Sequence, residues 1–300
     1  MNHHHADNLK SISVKLIITL ILNLLISIVE LIGGIISGSL SLISDALHNF
    51  SDGVSVILSY IAVKLKTRKN SVRHTFGLKR AEILVAVINS SLLIMISVYL
   101  FYEAIQRLLV PSKIDAVLMV IVASFGLIAN SIGSILLHKN AKTSLNIKSS
   151  YLHLISDAVS SFAIIIGALT IYFFQLSWID PLLTILMGIY MIREGVLIIS
   201  KATHVLLEGA PMNIDISELE KVVTKIDEVE DIHHIHLWTV GENDIHLQAH
   251  VNIKDRKITE CAIIRDEIEK ILQSRFGVNH ITLQFESDFC DDPKLVHQHR

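Results

Sequence analysis

Two cysteines in 300 residues, Cys261 and Cys290, are too few for a disulfide framework. Charge is scarce too. Asp, Glu, Lys and Arg make up 18% of the chain, where soluble domains of this length lie nearer about a quarter. Basic residues do not exceed acidic ones, 26 against 29, which excludes the electrostatic footprint of a nucleic-acid binder. No His-Glu-x-x-His segment occurs, so a metalloprotease of that type is excluded. Also absent are a phosphate-cradling glycine loop, a Ser/His/Asp arrangement of recognisable spacing and a low-complexity linker. The first apolar run lacks a small-residue cleavage site and is expected to remain as a span.

What the chain does have is apolar sequence. Hydrophobic residues make up 51% and the mean hydropathy is +0.52. They concentrate in the first two thirds, in runs long enough to cross a bilayer. Six spans are predicted at 14–36, 39–65, 79–108, 114–138, 146–174 and 178–200. Lys64, Lys66, Arg68, Lys69, Arg73, Lys79 and Arg80 lie between the second and third, and Lys139, Lys142 and Lys148 between the fourth and fifth; the other side carries little beyond Arg107 and Lys113. Positive charge stays in the cytoplasm during insertion, so both termini are expected there. From Glu208 the texture becomes polar. IDISELEKVVTKI and ITECAIIRDEIEKILQSRF have helical spacing, whereas HIHLWTV, DIHLQAHVNI and HITLQFES read as strands, the first two joined through GEND. That pattern predicts a small cytoplasmic α+β domain with one antiparallel sheet backed by helices, after a hinge at Gly209-Ala210-Pro211.

Two octapeptides, HNFSDGVS from His48 and HLISDAVS from His153, share the skeleton His-x-x-Ser-Asp-x-Val-Ser. Each places a histidine and an aspartate four residues apart inside an apolar run. Residues so spaced share a helix face, and an aspartate in the bilayer interior costs at least about 2.5–3.5 kcal/mol on insertion scales. Paired helices would offer His48, Asp52, His153 and Asp157, the ligand number and donor types of tetrahedral Zn²⁺. Two carboxylates also balance a divalent charge. The competing reading makes each pair a hydrogen bond joining helices. Asp45, one turn before His48, reads either as a further group on the path or as a residue facing water. Asn23, Glu30, Asn89 and Asn130 are expected to face the bundle interior.

SLISDALHNFSD, RHTFGLKRAEILVAVIN and YLHLISDAVSS, with IHLWTV, IHLQAHV and HITLQFE in the tail, resemble the cation diffusion facilitators over nearly the whole chain. The resemblance implies a six-helix transmembrane domain with a ferredoxin-like (metallochaperone-like) cytoplasmic domain, a homodimer, and exchange of cytoplasmic metal for external protons. It implies that His48, Asp52, His153 and Asp157 hold the transported ion, and two retained histidines imply Zn²⁺, with Cd²⁺ and other divalent cations as further substrates. It also implies a zinc site in the tail at His233, His250 and Glu286, where Gln284 stands at a position that supplies a ligand in some members. Cys290, His297 and His299 are candidates to complete that site. Strand alternation places His234 and His236 on one face and His233 on the other. In the loop between the second and third spans His74 is present, but Leu78 stands where a second histidine can occur and basic residues surround it, so a positive-inside loop is expected there. His3, His4 and His5 are a native metal-catching tract or an added remnant.

The expected organisation is therefore a tail at 1–13, a transport domain at 14–207, a regulatory and dimerisation domain at 208–288 and a flexible end at 289–300. Short loops favour a bacterial inner membrane. The expected activity is secondary transport, not enzymatic catalysis; a membrane-anchored metal sensor and a purely structural His-Asp bundle are the alternatives.

Overall fold

In a computed structural model of the chain, the backbone is described for residues 2–141, 145–241, 244–287 and 294–296, and side chains for 19–138, 141, 147–241, 244–287 and 294–296. Cys290, His297 and His299, and the side chains of His3, His4 and His5, lie outside the described residues. The chain forms two compact units. One holds the chain up to Tyr60 together with Ile88–Ile199; the other holds Ile61–Val87 together with the chain from Ser200 onward.

Six long helices carry the apolar runs: α1 (Asn2–Ser37), α2 (Leu40–Lys66), α3 (Ala81–Leu109), α4 (Ala116–Ala141), α5 (Leu145–Phe174) and α6 (Ile179–Leu206). Among the described residues, all but α2 are long and apolar enough to cross a membrane. α2 is interrupted on its buried side by Asp45, His48, Asn49 and Asp52. Its start is fixed in two ways. Gly38 adopts φ +76°, a left-handed turn that suits a residue without Cβ, and Ser39 Oγ accepts from Leu42 N at 3.2 Å as an N-cap. Leu42, Met119, Val122, Ala123, Ile164 and Ala168 close α2, α4 and α5 into one core. Ile32, Ile36, Phe125 and Val159 point outward, the arrangement expected of helices whose solvent is lipid.

In the tail, α7 (Ile216–Val223) follows an Asp215 N-cap. Then come β1 (Val229–Thr239), β2 (Ile245–Ile253), α8 (Ile258–Phe276) and β3 (Val278–Glu286). Gly277, at φ +69°, ends α8 as a left-handed C-cap. The core under the sheet includes Leu219, Val223, Ile232, Leu247, Val251 and Ile268. The sheet order is β1-β2-β3, with β1 and β2 antiparallel but β2 and β3 parallel. The expected all-antiparallel sheet is therefore corrected to a mixed one. A short turn joins β1 to β2 and reverses the chain, whereas α8 is a crossover long enough to bring the chain back in the same direction.

Candidate functional site

Helical spacing delivers the two octapeptides to one place. His48 Nε2 lies 3.5 Å from Asp52 Oδ2 on its own helix. From α5, His153 Nε2 lies 3.3 Å from the same Asp52 oxygen and 3.5 Å from Asp157 Oδ2. The two imidazoles stand edge to face with centroids 6.1 Å apart. Asp52 is thus shared between the helices, and all four side chains face one another. Asp157 is 2% exposed while His153 is 39% exposed. His48 and Asp157 also line a cavity of about 290 Å³ bounded by Ser160, Leu183, Tyr190 and Met191. Asp52 Oδ2 and Asp157 Oδ2 are enclosed atoms that meet the imidazole nitrogens at 3.3–3.5 Å without a well-formed hydrogen bond, a spacing that leaves the carboxylates only loosely satisfied. Two nitrogens and two carboxylates are the donors that a divalent metal takes.

Asp45 is 1% exposed and does not face water. Ser160 donates to its Oδ1 at 2.7 Å and Ser161 to its Oδ2 at 3.4 Å, which ties α2 to α5 one turn beyond the histidines. Of the four further polar residues expected inside, Asn23, Glu30 and Asn130 are buried. Asn89, half-buried, accepts from Ser51 at 3.4 Å.

The second group lies on the outer face of the tail sheet. His233 pairs with His250 across β1 and β2, and β3 brings Glu286 alongside. Glu286 is 2.7 Å from His250 Nδ1 and 3.4 Å from His233 Nε2. Among the described residues this is the one trio whose ligand atoms all lie within 4.8 Å of one another; the helical quartet is looser. Asp231 is 2.6 Å from the other nitrogen of His233, a contact that fixes which ring nitrogen faces Glu286. Gln284 lies beside the trio, its amide donating to Glu286 Oε1 at 2.8 Å.

Simple strand alternation fails in β1. His234 has φ +54°, and the register slips between His233 and His236. The N–H groups of His234 and Ile235 turn away from β2 to the carbonyls of Lys294 and Leu295, at 3.1 and 2.8 Å. This β-bulge brings His233 and His234 to the same side, with ring centroids 5.5 and 4.7 Å from that of His250.

Comparison with known proteins identifies the family. The model of the cation efflux transmembrane domain matches residues 16–207, well over half of the chain, and that of the cation efflux protein cytoplasmic domain matches 211–288. Over 290 residues the chain is 36% identical to the cadmium, cobalt and zinc/H(+)-K(+) antiporter of Bacillus subtilis, covering 96% of this chain and 92% of that one. It is 34% identical to the zinc transporter ZitB of Pectobacterium atrosepticum, covering 97% and 91% of the two chains. It is also 34% identical to the metal cation efflux system protein CzcD of Cupriavidus metallidurans, covering 88% and 83%. The chain belongs to the cation efflux family.

As a cation efflux protein it is an integral membrane transporter and not an enzyme. The loop between α2 and α3 carries a single histidine, His74, which lines an open cavity of about 910 Å³ with Arg73, Arg80, His236 and Trp238. Guanidinium groups beside it repel a cation. One contributor to this efflux protein's bundle is not among the residues that the sequence singles out. Asp180, at the start of the predicted sixth span, is fully buried and binds the start of α2. It accepts from Leu40 N at 2.8 Å, Ser41 N at 3.1 Å, and Ser39 Oγ and Ser41 Oγ at 2.6 Å each. The serine run SLS at Ser39–Ser41, an excess of donors in an apolar context, was the available signal.

Proposed function

We propose that this transporter exports Zn²⁺, with Cd²⁺ and related divalent cations as further substrates, in exchange for protons, and that His48, Asp52, His153 and Asp157 hold the ion in transit. The observation that carries the reading is the convergence of both His-Asp pairs on the Asp52 carboxylate. Names of the relatives, which include zinc transporters and an antiporter, support it. Proton exchange has a local rationale. Imidazole, near pKa about 6.5, must be deprotonated to bind metal, so the two cations compete for the same nitrogens.

On this reading residues 14–207 are the transport domain and 208–288 a cytoplasmic regulatory and dimerisation domain, with both termini inside a bacterial inner membrane. His233, His250 and Glu286 then bind Zn²⁺ as a regulatory ligand, and Asp45 steers the path through Ser160 and Ser161. The dimer is supported by the match to the efflux-protein cytoplasmic domain.

The test is Zn²⁺ flux into proteoliposomes with and without an imposed pH gradient, for the native chain and Asp157→Ala. Gradient-driven flux that vanishes in the variant is expected. Equal flux in both would make the His-Asp pairs structural, and flux indifferent to pH would remove the antiport.

A further inference from the structure

One group of buried polar side chains has no task in metal coordination. Glu30 of α1 is fully enclosed. Its Oε2 accepts from Asn49 Nδ2 at 3.2 Å, and Asn23 donates to the Asn49 carbonyl at 3.5 Å. Glu30 Oε1, Asn23 Oδ1 and Asn49 Oδ1 are buried with no hydrogen-bond partner. Across from them α4 presents Gly126, and the missing side chain is what admits the carboxyl. A Cβ there would collide with Glu30 Oε1 and stand 3.1 Å from Ser161 Oγ, the hydroxyl that donates to Asp45. The titratable groups whose charge reaches Glu30 are Asp45 of α2, the stronger, and Asp157 of α5; α4 offers Gly126 at this point. Among the described residues no cation is paired with it.

This is a cluster of acceptors short of a hydrogen. A glutamine of the same shape would supply one permanently and hold the helices together as well. A carboxyl supplies one only when protonated, and an ionised carboxylate there is costly in so apolar an enclosure. What glutamate adds over glutamine is reversible charge. We propose that Glu30 is a proton-carrying site of the transporter, separate from the metal ligands, that gives up its proton when metal binds between α2 and α5 and takes one up after the metal leaves. The chemistry is a single ionisation, carboxylic acid to carboxylate plus a proton. Two positive charges arriving at Asp157, one of the groups whose field reaches Glu30, favour the ionised form. Expelled metal restores the neutral acid. The inference rests on the metal–proton exchange reading above.

The experiment compares native protein, Glu30→Gln and Asp157→Ala, each full-length and purified. Protons released per Zn²⁺ bound are counted by calorimetry in buffers of different ionisation heat, and Zn²⁺ flux is measured in proteoliposomes. Glu30→Gln is expected to bind Zn²⁺, to release one proton fewer per ion, and to lose gradient-driven flux by about 10-fold, within the range of coupling between sites. Native proton count and flux in Glu30→Gln would overturn the proposal while leaving the metal site intact. Flux retained in Asp157→Ala would instead overturn the transport-site reading. Replacing Na⁺ and K⁺ by choline separates a proton site from an alkali-cation site; a Glu30→Gln defect that appears only with the alkali cation present would also overturn it. Should Glu30→Gln fail to fold, the native chain carrying ¹³C-carboxyl glutamate decides. Zn²⁺ addition must remove a protonated-glutamate infrared band, and an unchanged glutamate spectrum sinks the idea.

Discussion

His48 Nδ1 is buried without a hydrogen bond while its Nε2 faces Asp52, so the ring is held by packing and by what it shares with the carboxylates. An aspartate there would trade a nitrogen donor for an oxygen. With one imidazole left, His48→Asp should shift preference from Zn²⁺ toward harder cations such as Mn²⁺, on the order of 10-fold in a competition assay. Unchanged selectivity would mean that His48 lies outside the coordination sphere. At the tail trio the decisive neighbour is Gln284, whose amide orients Glu286 through a 2.8 Å hydrogen bond. Gln284→Ala should keep the number of zinc ions bound per chain but weaken the tail site by about 10- to 100-fold, the usual cost of losing a group that orients a ligand. Titration of the full-length protein against a chelator reads both quantities at once. Loss of a whole equivalent of metal would make Gln284 a ligand after all.

At the scale of elements, the start of α2 depends on a side chain of α6. Asp180 supplies four acceptor contacts to a helix end that would otherwise leave N–H groups unmet in a buried place. Asp180→Ala should destabilise the transmembrane unit by about 2 kcal/mol or more, the upper range for losing a charged cap. Asp180→Asn, which keeps one acceptor oxygen, should fall between. Thermal unfolding in detergent measures both, and a native midpoint for the alanine variant would refute the cap. The serine run at Ser39–Ser41 hinted at a buried acceptor but not at which one, because a cap supplied by a distant helix leaves no local spacing. The His-Asp pairs were legible because both partners of each pair sit on one helix, four residues apart. The reach of Asp52 to His153 was not, since it depends on how α2 meets α5. In the tail, the periodicities of the helices and strands located the elements. They could not foresee the bulge at His234, which the carbonyls of Lys294 and Leu295 hold open. Nor could they foresee the direction of β3, which follows from the length of the α8 crossover.

Considered whole, the molecule has candidate metal ligands in each of its two units, and acid acts on both. Protonated imidazole releases metal, and the tail has a second, metal-independent response. His246 is 4% exposed, its ring against those of His280 at 4.9 Å, Phe76 at 5.3 Å and Trp238 at 5.5 Å. Burial, and then the nearby His280 and Lys79, hold its pKa below the ordinary histidine value, with Asp244 opposing them. In the unfolded chain it titrates near about 6.5. Between the lowered folded value and that one, the unfolded state binds the proton more readily, so stability falls as pH falls. The contribution is complete above about 6.5 and is lost through the folded pKa. With chelator present to remove the metal effect, the tail should therefore unfold more easily as pH is lowered from 7.5 to 5.5, and His246→Gln should flatten that slope. Trp238 reports the transition by fluorescence once Trp178, the other of the two tryptophans, is changed to Phe. A slope of the opposite sign, or one unchanged in His246→Gln, would assign the acid response to other groups. If the slope is as expected, acid empties the tail ligands and loosens the sheet that carries them, so the two effects reinforce each other at low pH.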